Sequence, residues 1–262
     1  MKNFVEKLKP DNTFDKFKVT VLFRGDLQHE MGEREGPVCR VESLKIIICI
    51  AAVKDLEIFT VDITAAYMNT VMPEEVKQKW MKLDKDVTEI LLEINREYYQ
   101  PFVQDDGTMI VRNEKLLYGY VEAAQYWNET IAKVFVENEW KKCMKDKCTF
   151  VKGVEEKFAI CGLTVDDCFF ASIKDEEWIQ EHIMMLHNAF DEVTFSRGDE
   201  TGIIGMQVKM DRKHKAAILT QPKWEQKVNK EFKVTRKAPT PALADFMAED
   251  EELPFLPSQD QK

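Results

Sequence analysis

The sequence predicts a mixed α+β fold built around an antiparallel sheet. Segments with helical and with strand periodicity follow one another as helix, strand, helix, hairpin, helix, hairpin, helix. Two apolar runs are separated only by Asp166 and Asp167, which is the pattern of a β-hairpin. The 262 residues are 44% hydrophobic and 10% aromatic, so the chain can bury one large core or two small ones. This composition excludes disorder as a description of the whole chain.

The overall charge excludes one class of nucleic-acid-binding protein. The sequence has 37 Lys and Arg against 47 Asp and Glu, a formal net charge of -10. This excludes a wholly basic protein that coats nucleic acid, although a local basic groove is still compatible with it. The six cysteines lie mostly in apolar stretches, and no apolar run is long enough to span a membrane. We therefore expect an intracellular protein, cytoplasmic or nuclear, that is not secreted and has no transmembrane segment.

The first elements follow from polarity and alternation. Residues 1–15 are polar and lack periodicity, which predicts a flexible N-terminal segment. Short alternation over 16–23 predicts a strand that ends at Arg24 and Gly25.

The first helix and the strand after it come next. Ser43 is of a residue type that caps helices. The helix that it would cap has apolar residues at i, i+3, i+4 and i+7, namely Leu44, Ile47, Ile48 and Ala51. The run 56–61 then predicts a strand with Asp62 at its end, followed by a turn or helix that starts at Ala65 and Ala66.

The middle of the chain predicts a second helix, a hairpin and a third helix. The apolar stripe of the second helix consists of Ala123, Trp127, Ile131, Val134 and Phe135. The hairpin joins the apolar runs 158–165 and 168–173. The stripe of the third helix consists of Ile179, Ile183, Leu186 and Phe190. Its histidines, His182 and His187, are expected on the helix surface.

The C-terminal part predicts a second hairpin, a last helix and a tail. The alternating apolar residues of the hairpin strand are Ile204, Met206, Val208 and Met210. This strand turns at 211–215 toward 216–219, and Pro222 suits the first turn of a helix. We expect Trp127 and Trp224 to pack in the core. The acidic stretch 244–262 predicts a disordered tail.

The carboxylates point to a metal site. Asp166 and Asp167 repel each other in a tight turn, and neither is the glycine that such turns favour. A divalent cation would offset this repulsion, and Asp62 could supply a third ligand from a neighbouring strand. Oxygen ligands of this kind suit Mg²⁺. The alternatives are that Asp62 caps the following helix and that the Asp166–Asp167 pair is a solvated turn.

Seven short segments are more informative as an ordered set than any one of them alone. They are PVCRVES at 37–43, VDITAAYMN at 61–69, LYG at 117–119 with Ala123 and Trp127, TVDD at 164–167, IGMQV at 204–208, LTQP at 219–222 and APTP at 238–241. In this order, the stretch 18–243 resembles the reverse transcriptases of copia-type retrotransposons.

The resemblance implies a polymerase palm with an antiparallel sheet and packed helices, a partial fingers portion and the start of a thumb. Partial fingers and palm would occupy 16–219, and the thumb would begin over 220–243. The implied activity is RNA-directed DNA polymerisation by two-metal nucleotidyl transfer, with Mg²⁺ or Mn²⁺ as the two ions. The implied partners are an RNA template, a DNA primer and deoxynucleoside triphosphates.

The resemblance also implies roles for particular residues. Asp62 and Asp166 would hold both metal ions, and Asp167 would have a supporting role. Tyr67 would exclude a ribonucleotide 2′-hydroxyl, the alternative being that it is a core aromatic. The nucleotide-binding set would be Lys18, Arg24, Ala66, Tyr67 and Glu122. Gly205 and Met206 would position the primer end, the alternative being that they belong to an ordinary hairpin.

Five positions depart from the pattern of the family: Thr20, Val121, Glu122, Ala124 and Thr164. Thr20 stands where relatives carry Arg, Glu122 stands where they carry Gln, and Thr164 replaces the Tyr before the aspartates. These departures suggest a second hypothesis: a truncated or diverged palm with weak or no synthesis that binds nucleic acid or a protein partner. A third hypothesis, a nucleotide cyclase with a palm fold, is disfavoured because the LYG and LTQP segments have no place in it.

Overall fold

The structure is a computed structural model that describes residues 2–8, 13–25, 36–70, 80–154 and 156–233. The predicted tail at 244–262 therefore lies outside the described residues. The chain divides into two compact units, residues 1–220 and 221–262.

The first unit contains most of the described elements. Its strands are β1 (Lys2–Leu8), β2 (Phe14–Val21), β3 (Glu57–Ile63), β4 (Trp80–Leu83), β5 (Met109–Arg112), β6 (Lys141–Lys142), β7 (Thr149–Val154), β8 (Lys157–Thr164), β9 (Asp167–Ser172), β10 (Val193–Arg197), β11 (Glu200–Ile203), β12 (Met206–Asp211) and β13 (Ala216–Thr220). Its helices are α1 (Val41–Lys54), α2 (Lys85–Tyr99), α3 (Ala123–Glu137) and α4 (Glu176–Ala189). The second unit contains α5 (Pro222–Glu231), with Pro222 in its first turn.

The central element is a six-stranded sheet with the order β10-β3-β9-β8-β7-β6. Its neighbouring strands are antiparallel throughout. Smaller sheets are formed by β1-β2, by β4-β5 and by β11-β12-β13. The predicted mixed α+β class with an antiparallel sheet is confirmed.

One face of the central sheet is covered by α3 and α4. Alternate residues of the strands point to this face, so Phe59 and Phe170 stack across β3 and β9 with their ring centres 4.7 Å apart. Phe135 of α3 stacks on Phe150 and Phe170 from the helix side. His182 of α4 completes this layer, 6.2 Å from the ring of Phe170.

The opposite face is covered by α1, which lies directly over β8 at Gly162. A Cβ atom added to Gly162 would lie 2.7 Å from Leu44 Cδ2 and 3.0 Å from Cys39 Sγ. Only glycine allows this close approach. The part of this face near Asp62 extends beyond the cover, and the Asp62 side chain is exposed.

The first helix begins two residues before the predicted cap. Its N-cap is Arg40, and Ser43 lies within the first turn. Asp146, in the loop before β7, accepts hydrogen bonds from the backbone N–H of Arg40 at 2.9 Å and from the hydroxyl of Ser43 at 2.6 Å. Ser43 therefore anchors the helix to Asp146 instead of capping it.

Several elements were not predicted. The polar N-terminal segment contains the strand β1, which pairs with β2 along its whole length. Helix α2 and the β4-β5 pair lie in a stretch without predicted elements. Asp84 caps α2 by accepting a hydrogen bond from the N–H of Val87 at 3.1 Å.

Two predicted environments are wrong. His182 is fully buried, at 0% exposure, and not on the helix surface, because the inner face of α4 packs on the sheet. Trp224 of α5 is 58% exposed and not packed in a core, and Lys227 Nζ lies 5.4 Å from the centre of its ring. None of the helices in the described part of the chain is long and apolar enough to cross a bilayer.

Candidate active site

Two of the predicted aspartates lie directly opposite each other. Asp62 of β3 and Asp167 of β9 are register partners across the antiparallel pair. The row continues on both sides, because Thr194 of β10 is the partner of Asp62 and Thr164 of β8 is the partner of Asp167. Partners of this kind point to the same face of a sheet, with Cβ atoms about 4.5–5.5 Å apart. The register therefore brings together two carboxylates that are 105 positions apart in the sequence.

The third aspartate lies in the hairpin turn next to this pair. The turn consists of Val165 and Asp166, so it falls one residue earlier than predicted, and Asp167 is the first residue of β9. The backbone N–H of Ile63 donates a hydrogen bond to the Asp166 carbonyl at 3.0 Å, which ties the turn to the end of β3. Asp62 lies inside β3, and the 3₁₀ turn Ala66–Asn69 has Ala65 as its N-cap. Asp62 does not act as a helix cap.

The three carboxylates influence one another electrostatically. Burial, followed by the negative charges of Asp166 and Asp62, raises the pKa of the Asp167 carboxyl to about 6. Like charges directly opposite each other in a sheet are destabilising. A cation between the strands would relieve this repulsion.

The donor set fits a hard divalent cation in kind, because all three residues carry carboxylates and lie at or next to the paired ends of β3 and β9. Within the described ranges, no group of three or more His, Cys, Asp or Glu side chains is arranged to hold a metal ion. The three aspartates thus have suitable ligand atoms and lie close together. Their side chains are not arranged as an assembled three-ligand site.

Two tyrosines line the space beside the turn. The rings of Tyr67 and Tyr118 are tilted against each other with their centres 4.6 Å apart. Burial, and then the charge of Asp166, raises the pKa of Tyr67. Burial, followed by the charges of Asp166, Tyr67 and Asp62, raises the pKa of Tyr118 to about 12. Both rings thus lie within electrostatic range of the aspartates, and Tyr118 is a member of the site that the sequence analysis did not name.

The residues predicted to bind the nucleotide lie in different environments. Arg24 is exposed in the segment after β2, where the N–H of Phe23 donates to the carbonyl of Tyr118 at 2.8 Å. The backbone of Lys18 lies in β2, and its side chain is outside the described part of the structure. Ala66 is fully buried at the start of its 3₁₀ turn, so no part of it is open to a ligand. Glu122 is 8% exposed at the N-terminus of α3. Burial raises the pKa of Tyr120, and the charge of Glu122 raises it further.

The predicted primer-positioning turn is shifted by one residue. Ile204 and Gly205 form the turn between β11 and β12, with φ angles of 48° and 70°. Met206 is the first residue of β12, and its side chain is buried in the core that also contains Val208 and Met210. The family resemblance placed Met206 with Gly205 at the primer end, whereas the apolar alternation with Val208 and Met210 predicted the strand position that Met206 occupies. The Met206 side chain therefore cannot contact a primer, and only the turn is exposed.

Trp127 contributes to the site in a way that the sequence did not reveal. It is buried, as predicted, but its indole N–H also donates to the carbonyl of Val165 at 2.6 Å. A small cavity next to this contact is lined in part by Tyr67, Trp127 and Val165. No local pattern could have indicated this contact, since it joins residues 38 positions apart.

The fold and the candidate site indicate the class of a polymerase palm. The features of this class are the antiparallel sheet with helices on both faces, the carboxylates at neighbouring strand ends and the separate unit after the last hairpin. The chain belongs to the family described as reverse transcriptase (RNA-dependent DNA polymerase), which matches residues 2–243. Its predicted resemblance to the reverse transcriptases of copia-type retrotransposons is confirmed.

A curated relative is the retrovirus-related Pol polyprotein from transposon TNT 1-94 of Nicotiana tabacum. It is 24% identical to this chain over 242 residues, which are 90% of the chain. The same match covers 17% of the polyprotein, so the chain corresponds to a small part of that relative.

Proposed function

We propose that this chain is the palm of an RNA-directed DNA polymerase that adds deoxynucleotides to the 3′-hydroxyl of a DNA primer on an RNA template. The observation that carries the proposal is the register that sets Asp62 opposite Asp167, beside the Asp166 turn. Membership of the reverse transcriptase family supports nucleic acid and nucleotides as the substrates.

Asp62 and Asp166 would hold two divalent ions, Mg²⁺ or Mn²⁺, with Asp167 in a supporting role. When bound, such a pair of ions activates an attacking hydroxyl and stabilises the charge on a leaving pyrophosphate. The mutual repulsion of the three carboxylates supports this assignment, because each negative charge raises the affinity of the others for a cation.

Tyr67 would select deoxynucleotides. Its half-buried ring lies beside Asp166, so a sugar bound next to the metal ions would meet the flat face or edge of the ring. A 2′-hydroxyl would be excluded sterically. Arg24, together with Lys18, would screen the charge of the triphosphate.

Ala66, Glu122 and the β11-β12 turn complete the proposed site. Ala66 is fully buried, so it would support the nucleotide site by packing beneath it. Glu122 replaces a neutral Gln of the family, and its carboxylate would repel a triphosphate that came within reach. The exposed turn at Ile204 and Gly205 would support the primer end through its backbone.

Primer extension on an annealed RNA template tests the proposal. The wild-type protein is expected to extend the primer with Mg²⁺ or Mn²⁺, and Asp166→Asn is expected to abolish extension. Asp105→Asn is a matched control, because it makes the same change of charge at an exposed aspartate in the turn before β5. Equal extension by the wild-type protein and Asp166→Asn would refute the catalytic assignment.

The second candidate is a palm that binds nucleic acid without extending it. The side-chain arrangement of the carboxylates and the Glu122 and Thr164 replacements favour this alternative. It predicts binding of the template–primer duplex that weakens steeply with salt, with no extension in either metal.

A further inference from the structure

The turn that carries Asp166 has an unfavourable backbone conformation. Val165 has a φ angle of 49°, in the left-handed region that β-branched residues rarely adopt. Strained residues of this kind persist only where the surrounding structure holds them in place. The contacts of the turn therefore decide how firmly Asp166 is aimed.

Three hydrogen bonds hold the two carbonyl groups of this turn and that of Asp167, the residue that follows it. The indole N–H of Trp127 donates to the Val165 carbonyl at 2.6 Å. The N–H of Ile63 donates to the Asp166 carbonyl at 3.0 Å, and the hydroxyl of Thr164 donates to the Asp167 carbonyl at 3.2 Å. The bond from Trp127 comes from outside the sheet, and a side-chain substitution can remove it without changing the hairpin.

Trp127 is itself firmly placed. It is 1% exposed in the middle of the inner face of α3, and its ring packs against Phe190 with the centres 5.1 Å apart. The indole of Trp127 is already held in place by α3 and by the end of α4. It can therefore bind the Val165 carbonyl with little further loss of side-chain entropy. Its burial excludes a direct contact with a substrate.

We propose that Trp127 is a positioning residue whose indole N–H holds the Val165 carbonyl and thereby fixes the turn that carries the Asp166 carboxylate. This inference rests on the proposed function, because the turn that Trp127 holds carries Asp166, a proposed metal ligand. Trp127 acts through the backbone of Val165 and does not touch the reacting atoms.

Trp127→Phe tests the inference because it keeps a large ring and removes the N–H. Loss of a hydrogen bond that orients a metal ligand typically reduces metal affinity or activity about 10–100-fold. We therefore expect the Kd for Mn²⁺, measured by electron paramagnetic resonance without nucleic acid or nucleotide, to rise about tenfold. The kcat of primer extension is expected to fall by at least about tenfold, with the KM for the nucleotide within about twofold of wild type.

Trp140→Phe is the matched control. Trp140 is 2% exposed, and its indole nitrogen has no hydrogen-bond partner within the described part of the chain. It packs against Phe135 and Phe170, in the layer between the sheet and its helices. We expect Trp140→Phe to keep the Mn²⁺ affinity and the kcat of the wild-type protein. Comparing it with Trp127→Phe separates the effect of a looser core from the effect of losing the contact with the turn.

A second change tests the role of strain. Val165→Gly makes the left-handed conformation intrinsically accessible, so it should recover part of the loss in Trp127→Phe. If Trp127→Phe does not fold, β-(3-benzothienyl)alanine at position 127 replaces it, since this residue keeps the two fused rings and lacks the N–H.

The outcomes separate this inference from the proposed function. If Trp127→Phe, or the benzothienyl variant, matches Trp140→Phe in Mn²⁺ affinity and kcat while Asp166→Asn loses both, the inference is overturned and the proposed function stands. If Asp166→Asn extends primers and binds Mn²⁺ as the wild-type protein does, the proposed function fails, and the inference fails with it.

Discussion

The buried imidazole of His182 predicts that the protein loses stability in mild acid. His182 lies between Trp140 and Trp178, with ring centres 4.8 and 4.7 Å away. Neither of its ring nitrogens has a hydrogen-bond partner among the described residues. Burial lowers the pKa of His182 to about 4, a shift that Glu181 opposes and that Lys152 slightly increases. The folded protein therefore holds this imidazole in its neutral form.

The magnitude follows from the two protonation equilibria. The unfolded chain binds a proton at His182 below its ordinary pKa of 6.5, whereas the folded protein does so only near pH 4. Stability is therefore lost as the pH falls from 6.5 toward 4. Between pH 7.0 and pH 4.5 the loss is about 2.5 kcal/mol, since each unit of pKa difference corresponds to about 1.4 kcal/mol.

Urea unfolding at the two pH values measures this loss, and His182→Phe removes the titrating group while keeping an aromatic ring. Other groups titrate in both proteins, so their contributions cancel in the difference. We expect the wild-type protein to lose about 2.5 kcal/mol more than His182→Phe. His187→Gln, at an exposed position of the same helix, should keep the pH dependence of the wild-type protein. Equal losses in the wild-type protein and His182→Phe would refute the reasoning.

Three further substitutions test the site and the anchoring of α1. Tyr67→Ala should raise the use of ribonucleotides relative to deoxynucleotides at least about tenfold in primer extension, while Tyr67→Phe keeps the discrimination. Glu122→Gln should lower the KM for the nucleotide severalfold because it removes a negative charge, and an unchanged KM would place the carboxylate out of reach. Asp146→Ala removes the acceptor for the N–H of Arg40, the hydroxyl of Ser43 and the N–H of Cys148. Urea unfolding should therefore show that the free energy of unfolding falls by about 3 kcal/mol, against about 1 kcal/mol for Ser43→Ala.

Much of the fold could be predicted because its elements have strong local patterns. The stripes of α1, α3 and α4 follow the helical period, and the hairpin of β8 and β9 is marked by two apolar runs with a short polar break. Helix α2 was missed although Asp84 and the spacing of its apolar residues are visible in the sequence. The residues of α2 are mostly exposed, with Thr88 as its buried residue, so this helix contributes little to the core.

The candidate site could be predicted in its residues but not in its contacts. The order of the motifs singled out Asp62, Asp166 and Asp167, yet only strand pairing shows that Asp62 faces Asp167. The contact of Trp127 with Val165 and the place of Tyr118 beside the aspartates depend on packing between distant segments. The burial of His182 has the same origin, since a polar residue within a helix gives no local sign of the layer that it meets.

The pairing of β3 with β9 makes the chemistry sensitive to the length of the chain. Side chains alternate between the two faces of a strand, so one residue inserted or deleted between 57 and 62 would turn the Asp62 carboxylate from the open face toward the layer of Phe59 and Phe170. A negative charge would then be forced into an apolar layer, and both folding and the proposed metal binding would fail. The number of residues between 57 and 62 therefore fixes which face of the sheet carries the Asp62 carboxylate.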